Sequence, residues 1–163
     1  MLKPVRSQIV SAGAAHFAII ASRYNARYVD AMVRAAKAVL RRADVLRPQI
    51  VRVPGAYEIP LVAARLARQG GLGEGPDQGG RQFAIICLGV ILRGETVHAA
   101  HIGEAVSRAL MEIQIRYEVP IAHEVLLLEN ETQARVRCLS KTHNRGAEAA
   151  QTALTMARVM ARL

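Results

Sequence analysis

The sequence predicts an α/β fold in which helices cover both faces of a parallel sheet. Short apolar runs without polar alternation recur along the chain, which is the pattern of strands buried on both faces. Segments whose apolar residues recur at helical spacing follow these runs. The 163 residues, 52% of them apolar, suffice for one packed core, so we expect a single domain over residues 1–163.

The first two strand–helix units are predicted between residues 16 and 68. His16–Ser22 is an apolar run of strand length, and the next segment repeats an apolar helical face of Val29, Met32, Val33, Ala36 and Leu40. The second strand, Ile50–Val53, lies between Pro48 and the Pro54-Gly55 pair that stops it. The second helix is expected from about Tyr57 to Arg68, with Pro60 tolerated in its first turn.

A glycine-rich segment, residues 70–82, separates the two halves of the chain. Residues 70–81 read GGLGEGPDQGGR. A glycine-rich loop that cradles phosphate needs a strand before it and a helix after it, whereas this segment follows a helix and precedes a strand. We therefore predict a flexible surface insertion.

The second half continues the alternation. It comprises a third strand at Phe83–Gly89, a long helix from about Thr96 to Tyr117, a fourth strand from Pro120 through about Leu127, a short helix around Glu131–Cys138 and a last helix from Asn144 to Arg162.

The net charge of +9 restricts the function classes. Its excess lies within residues 1–70, which carry twelve basic and three acidic residues. Such a basic excess attracts nucleic acid, membrane surfaces or anionic metabolites. Nucleic-acid binding usually adds aromatic stacking or a docking motif, and with aromatics at 4% neither is evident, so we expect no nucleic-acid partner.

The cysteines and the apolar runs indicate the compartment. Cys87 and Cys138 form no CxxC pair, which fits a reducing environment. The longest apolar run, Phe83–Leu92, is about half of the roughly 20 residues that a membrane span needs. We therefore expect a cytoplasmic protein without a membrane partner.

Ligands of parallel α/β sheets bind beyond the carboxyl ends of the strands. That rule selects Ser22–Asn25, Pro54–Glu58, Gly89–His98 and the stretch after Leu127 as candidate binding segments.

The segment after the third strand has the features of an anion site beside a proton carrier. Gly94 permits a tight turn, and the amides of Glu95 and Thr96 are expected at a helix N-terminus, which favours phosphate. His98 falls in the first turn, where it is either a general acid–base or a capping or surface histidine. His98 and His101 form an HxxH pair without convincing further ligands, so we expect no metal.

Three other features keep two interpretations each. Glu58 either benefits from a helix N-terminus or binds a ligand hydroxyl. Tyr24 is either a stacking platform or a rim contact. The basic cluster of Arg135, Arg137, Lys141 and Arg145 is either a solvated face or, with a phosphate at the Gly94 turn, one half of an arginine clamp.

Four segments together resemble the 6,7-dimethyl-8-ribityllumazine synthase family of riboflavin biosynthesis. They read SRYN at 22–25, VPGAYEIP at 53–60, LGVILRGETVH at 88–98 and KTHNRGAEAA at 141–150. The resemblance implies a flavodoxin-like three-layer αβα sandwich with a four-stranded parallel sheet. It also implies a transferase that needs neither metal nor cofactor and condenses 5-amino-6-(D-ribitylamino)uracil with 3,4-dihydroxy-2-butanone 4-phosphate.

The resemblance also assigns roles to residues. His98 matches the catalytic acid–base. The matching substrate-binding residues are Tyr24, which stacks on the pyrimidinedione; Ala56, Tyr57 and Glu58, which hold the ribityl chain; Val90, Ile91 and Leu92, which line the pyrimidine pocket; and Glu95, Thr96 and Arg137, which bind phosphate.

Two of the matching positions depart from the family. His123 stands where many members have a Phe that a neighbouring subunit contributes to cover the pyrimidine. Arg145 replaces a commoner Lys near the pyrimidine, which keeps the charge but changes the geometry. A flavin- or lumazine-binding paralogue with weak or no turnover is therefore the alternative function.

The family's assemblies give the expected partners. Its sites lie between adjacent subunits of a homopentamer, and members form pentamers, decamers or sixty-subunit icosahedral capsids, among which the sequence does not choose. Residues 1–15 resemble an N-terminal arm that adds a strand to a neighbouring subunit's sheet. Riboflavin synthase is a further partner that the resemblance suggests.

Overall fold

The computed structural model of the chain describes residues 16–71 and 83–163. The strands are β1 (His16–Ser22), β2 (Gln49–Val53), β3 (Phe83–Leu92) and β4 (Ile121–Leu128). The helices are α1 (Ala26–Arg42), α2 (Ile59–Gly71), α3 (His98–Tyr117), α4 (Glu131–Ala134) and α5 (Arg145–Met160). The predicted arm, residues 1–15, lies outside the described residues, as does the predicted insertion apart from the two glycines that end α2.

The four strands form one parallel sheet in the order β2-β1-β3-β4. β1 and β3 lie at its centre and are buried along almost their whole length, because each has a strand on both sides and helices on both faces. The absence of polar alternation in their sequences reflects this environment. The flavodoxin-like α/β fold that the sequence predicts is confirmed.

Two apolar clusters fill the space on either side of the sheet. Alternate residues of β1 and β3, among them Ile19 and Ile86, pack against α1 and α5. The residues between them, among them Ile20 and Ile85, pack against α2 and α3. Successive side chains of a strand point to opposite faces, so this alternation gives the helix–sheet–helix layering.

The third strand is longer than the sequence predicts. Gly89 was expected to end it, but β3 continues to Leu92 and pairs with β4 through Leu92 and Leu128. A Cβ on Gly89 would lie 3.0 Å from Val125 Cγ1 and 3.3 Å from Ile59 Cδ1. This glycine therefore serves close packing within the strand, and the strand ends three residues later.

The segment after β4 also differs from the predicted short helix. Its first turn is α-helical and is capped by Asn130, whose side chain accepts from the Gln133 N–H at 3.0 Å. Residues Arg135–Leu139 then form a π-helical turn. Such turns are rare and occur frequently at functional sites, and this one carries Arg137.

Within the described parts of the chain, no helix is both long enough and apolar enough to cross a membrane.

Candidate active site

Hydrogen bonds join the loop that follows β1 to the end of β2 and its loop and to the end of β3, at the carboxyl edge of the sheet. The Arg23 N–H donates to the Val53 carbonyl at 2.8 Å, and the Tyr24 N–H donates to the Pro54 carbonyl at 3.2 Å. On the other side, Asn25 Nδ2 donates to the Val90 carbonyl at 2.8 Å. Three of the four segments selected from the sequence therefore form one connected site.

Tyr24 and Glu58 lie against Gly55 within this site. Glu58 Oε2 accepts from the Gly55 N–H at 2.8 Å, which fixes the carboxylate over its own loop. A Cβ on Gly55 would lie 3.0 Å from that oxygen and 3.4 Å from Tyr24 Cδ2, so a glycine lets both side chains approach. The Tyr24 ring is 73% exposed and is available for stacking. Tyr57 is also largely exposed, whereas Ala56 is buried.

The end of β3 offers backbone groups to the same site. β1 pairs with β3 only as far as Leu88, whereas β4 pairs with it to Leu92. Among the residues that the structure describes, no strand therefore pairs with Val90–Leu92 on the side that faces the β1 loop. On that side, the Asn25 side chain donates a hydrogen bond to the Val90 carbonyl. Val90 is buried, and Ile91 and Leu92 are half-buried.

The turn before α3 lies outside the helix, contrary to the sequence prediction. The helix begins at His98 instead of Thr96, so Glu95 and Thr96 precede its first turn and are exposed. The first intrahelical bonds come from the Ala100 and His101 N–H groups to the Val97 carbonyl, at 3.0 and 3.2 Å. Amides before Ala100 thus have no carbonyl partner within the helix, as an anion site requires.

His98 is exposed at the first position of α3, directly after this turn. An accessible imidazole can exchange protons with a bound ligand, provided that the ligand lies within hydrogen-bond reach. The structure therefore places the predicted acid–base beside the predicted anion turn.

His123 lies elsewhere, on the α3 side of β4. It pairs with Cys87, five residues before the end of β3, and at about 3.3 Å per residue that is roughly 16 Å from the carboxyl ends of β3 and β4. Its Nδ1 accepts from the Val125 N–H at 3.1 Å, and its Nε2 lies 2.9 Å from Ser107 Oγ. Burial lowers the pKa of this imidazole. One protomer thus does not bring His123 to Tyr24 or His98.

Arg145 lies on the opposite face of β4, between two carboxylates. Its Nε donates to Glu124 Oε2 at 3.0 Å, and its Nη1 pairs with Glu148. The Glu124 side chain is only 12% exposed, and burial raises its pKa against the opposing attraction of Arg145. Arg137 is exposed, and its charge is close enough to Glu124 to oppose that rise as well.

Three residues of these arrangements received no role in the sequence analysis. Asn25 was quoted only within a motif, and neither Ser107 nor Glu124 was singled out. Glu124 carries a signal that could have found it, because it is the one acidic residue in the predicted fourth strand and arginines occur in both helices predicted after that strand. Ser107 carries none, because its partner lies across a helix–strand contact.

Within residues 16–71 and 83–163, no group of three or more His, Cys, Asp or Glu side chains is arranged to hold a metal ion. The expectation that the protein works without a metal or cofactor stays a prediction.

Comparison with known proteins gives one consistent result. Residues 14–161 match the family model of 6,7-dimethyl-8-ribityllumazine synthase. A protein of that name from Xanthomonas campestris pv. campestris (strain B100) is 39% identical over 148 residues, covering 90% of each chain. Another from Stenotrophomonas maltophilia (strain R551-3) is 37% identical over 151 residues, covering 91% of each. Because the match spans the fold and all the candidate segments, the chain belongs to the 6,7-dimethyl-8-ribityllumazine synthase family.

Proposed function

We propose that this protein is a cytoplasmic transferase of riboflavin biosynthesis that condenses 5-amino-6-(D-ribitylamino)uracil with 3,4-dihydroxy-2-butanone 4-phosphate. The products are 6,7-dimethyl-8-ribityllumazine, phosphate and water. An amine adds to the ketone to give an imine, phosphate is eliminated, and a second condensation closes the ring. These steps need proton transfers and the alignment of two substrates, which a protein can supply with its own side chains.

The connected site at the carboxyl edge is the observation that carries this proposal. It combines an exposed aromatic ring at Tyr24, a carboxylate fixed at Glu58 and an accessible imidazole at His98. The bonds from Arg23, Tyr24 and Asn25 hold the loops after β1 and β2 and the end of β3 together without any ligand. A preorganised site of this kind loses little conformational freedom when it aligns two substrates.

Each group suits one part of the substrates. Tyr24 stacks on the pyrimidinedione, whose polar edge meets the backbone of residues 90–92. One oxygen of Glu58 is bound to the Gly55 N–H, which leaves the other to accept from hydroxyls of the ribityl chain, next to Ala56 and Tyr57. The phosphate occupies the turn at Glu95 and Thr96, and His98 moves protons between the reacting amine and carbonyl.

The distance of His123 from this edge supports a site completed by a second subunit. His123 lies roughly 16 Å from the carboxyl ends of β3 and β4, on another face of the protomer. In a homopentamer with shared sites, the His123 ring covers the pyrimidine bound to the adjacent subunit. Arg137 binds the phosphate, and Arg145 lies near the pyrimidine.

The test is turnover of both substrates by the purified protein, measured as lumazine absorbance or fluorescence above the uncatalysed background. We expect turnover in the wild type and a loss of at least about 10² in His98→Ala, the usual contribution of a general acid–base. His101→Ala is the matched control, because it removes an exposed histidine one turn further along the same helix. It should retain activity.

Each result has a definite meaning. Equal rates in His98→Ala and the wild type would remove His98 from the mechanism. Binding of the pyrimidine substrate without turnover would identify a ligand-binding paralogue. Absence of both binding and turnover would overturn the proposed function.

A further inference from the structure

The hydrogen bonds around His123 fix its tautomer. The backbone N–H of Val125 can only donate, so His123 Nδ1, at 3.1 Å, must be the unprotonated nitrogen. Ser107 Oγ donates its single proton to the Gly103 carbonyl at 2.8 Å. Its contact of 2.9 Å with His123 Nε2 must therefore be a bond that Nε2–H donates. The ring is a neutral imidazole protonated at Nε2.

The same bonds fix the position of the ring. One nitrogen is bound to the β4 backbone two residues ahead, and the other to the outer part of α3. Hydrogen bonds at both nitrogens, to two different elements, restrain rotation of the ring about the Cβ–Cγ bond. A Phe at this position has no atom with which to make either bond.

Protonation of His123 would break this arrangement. A proton on Nδ1 would face the Val125 N–H, which places two donors against each other. Burial favours the neutral form in the same direction. The bonds and the environment thus both keep the ring uncharged.

We infer that Ser107 is a positioning residue, which holds the neutral His123 ring in a fixed orientation so that it can cover the pyrimidine substrate bound to the adjacent subunit. The inference rests on the proposed function for the role of His123. Ser107 acts through His123 and does not touch the reacting atoms. The Ser107 hydroxyl fixes the orientation of the His123 ring through a hydrogen bond. A Phe at this position would be held by the packing of its larger ring instead.

The test compares Ser107→Ala with the wild type. Ser107 is exposed on a helix and Ala is the best helix former, so the variant should fold. We expect the Michaelis constant for the pyrimidine substrate to rise about two- to tenfold, the equivalent of one neutral hydrogen bond. The turnover number and the Michaelis constant for the phosphate substrate should stay unchanged. Ser107→Thr keeps the hydroxyl and should restore the wild-type value.

Two controls separate positioning from a general structural effect. Thr155 makes the same kind of bond, from Oγ1 to the Gln151 carbonyl at 2.9 Å, on an exposed face of α5, so Thr155→Ala should leave all constants unchanged. In a His123→Phe background, Ser107→Ala should have no further effect, because the bond is already absent. A Michaelis constant that still rises in that background would overturn the inference.

Nitrogen-15 NMR of the imidazole provides a readout that does not depend on turnover. The wild type should show only the Nε2–H tautomer of His123 above pH 8, with the signals assigned by their loss in His123→Phe. Ser107→Ala should keep this tautomer, because the Val125 N–H still faces Nδ1, but it should shift the Nε2 resonance, whose hydrogen bond to Ser107 is lost. An unchanged Nε2 shift would contradict the tether. If the wild type lacks turnover, the proposed function fails, and titration with the pyrimidine substrate alone then decides whether Ser107 affects its binding. Equal affinity in Ser107→Ala, or no binding at all, would overturn the inference as well.

Discussion

Asn25 binds the loop after β1 to the end of β3, because its side-chain Nδ2 donates to the Val90 carbonyl oxygen at 2.8 Å. Its own backbone has a φ of 54°, in the left-handed region that Asn tolerates better than most residues. Its carbonyl accepts from the N–H groups of Tyr28 and Val29, at 2.9 and 3.2 Å, and so begins α1. One residue therefore sets the relative position of the loop that carries Tyr24 and the backbone at the end of β3.

Two substitutions at Asn25 should separate its two tasks. Asn25→Gly keeps the left-handed backbone but loses the bond to Val90, which should lower the free energy of unfolding by about 1 kcal/mol. Asn25→Ala loses the bond and also strains the backbone, which should cost about 1 kcal/mol more. Urea denaturation measures both. Equal stabilities of the two variants would show that the left-handed conformation contributes nothing.

The comparison of sequence with structure shows which interactions a linear pattern contains. The bounds of β1 were predicted to the residue, because an apolar run between polar residues directly reflects burial on both faces. The end of β3 was not, because Gly89 resembles a strand end in sequence while its actual role is to leave room for Val125 and Ile59. That role depends on a neighbouring strand and a helix distant in sequence.

The candidate site divides in the same way. Tyr24, Glu58 and His98 lie in the segments that come after β1, β2 and β3. The rule that ligands of parallel α/β sheets bind beyond the carboxyl ends of the strands therefore selected these segments from the sequence. The pairings of His123 with Ser107 and of Arg145 with Glu124 join elements 16 and 21 residues apart in sequence. The periodicity of apolar residues in the sequence does not predict such pairs, because they depend on how a helix packs against an edge strand.

Gly146 packs α5 directly against the backbone of α1 at Met32. A Cβ at this position would overlap the Met32 carbonyl and lie 2.6 Å from Met32 Cα, and a backbone cannot move aside as a side chain can. We expect Gly146→Ala to lower the free energy of unfolding by about 3 kcal/mol, near the upper end of overpacking effects. Chemical denaturation measures this loss.

Gly103 provides the matched control for that substitution. A Cβ there would lie 3.6 Å from Leu127 Cβ, which is an ordinary contact, and the residue is within α3. Gly103→Ala should therefore raise stability by about 0.5–1 kcal/mol, the usual gain of Ala over Gly inside a helix. Equal effects at the two glycines would mean that the contact with Met32 is not the cause.

Arg137→Ala should weaken the use of the phosphate-bearing substrate. The side chain is exposed in the π-helical turn, so its loss should leave the fold intact. A charge-assisted bond to phosphate is worth about 1.5–3 kcal/mol, which corresponds to a 10- to 150-fold rise in the Michaelis constant for that substrate. Steady-state kinetics with each substrate varied in turn measures it.

Arg135→Ala is the control, because Arg135 lies two residues away and is also exposed but pairs with Glu131 at 3.3 Å. It should leave both Michaelis constants unchanged. If both arginine variants lost the phosphate substrate alike, the effect would come from the net charge of the turn instead of from a specific clamp.

Glu124 should give the protein a pH-dependent stability of a defined sign. Burial raises the pKa of this carboxyl above its ordinary value, so the native state binds its proton at a higher pH than the unfolded chain does. The stability that Glu124 contributes is therefore complete below about pH 4.5 and is lost as the pH rises through the raised pKa. In Glu124→Gln this loss disappears, while Arg145 keeps its partner Glu148. The free energy of unfolding of Glu124→Gln, relative to the wild type, should thus increase between pH 4.5 and pH 7.

Urea denaturation at several pH values, with Glu104→Gln as the control, distinguishes burial from the mere loss of a negative charge. Glu104 pairs with Arg108 on the surface of α3, and its side chain is 69% exposed, so the pair contributes no more than about 1 kcal/mol. Glu104→Gln should therefore change the free energy of unfolding little. This change should not grow with pH as the change expected for Glu124→Gln does. If Glu124→Gln instead lost stability relative to the wild type as the pH rose, the attraction of Arg145 would outweigh burial. The ion pair on β4 would then stabilise the folded chain.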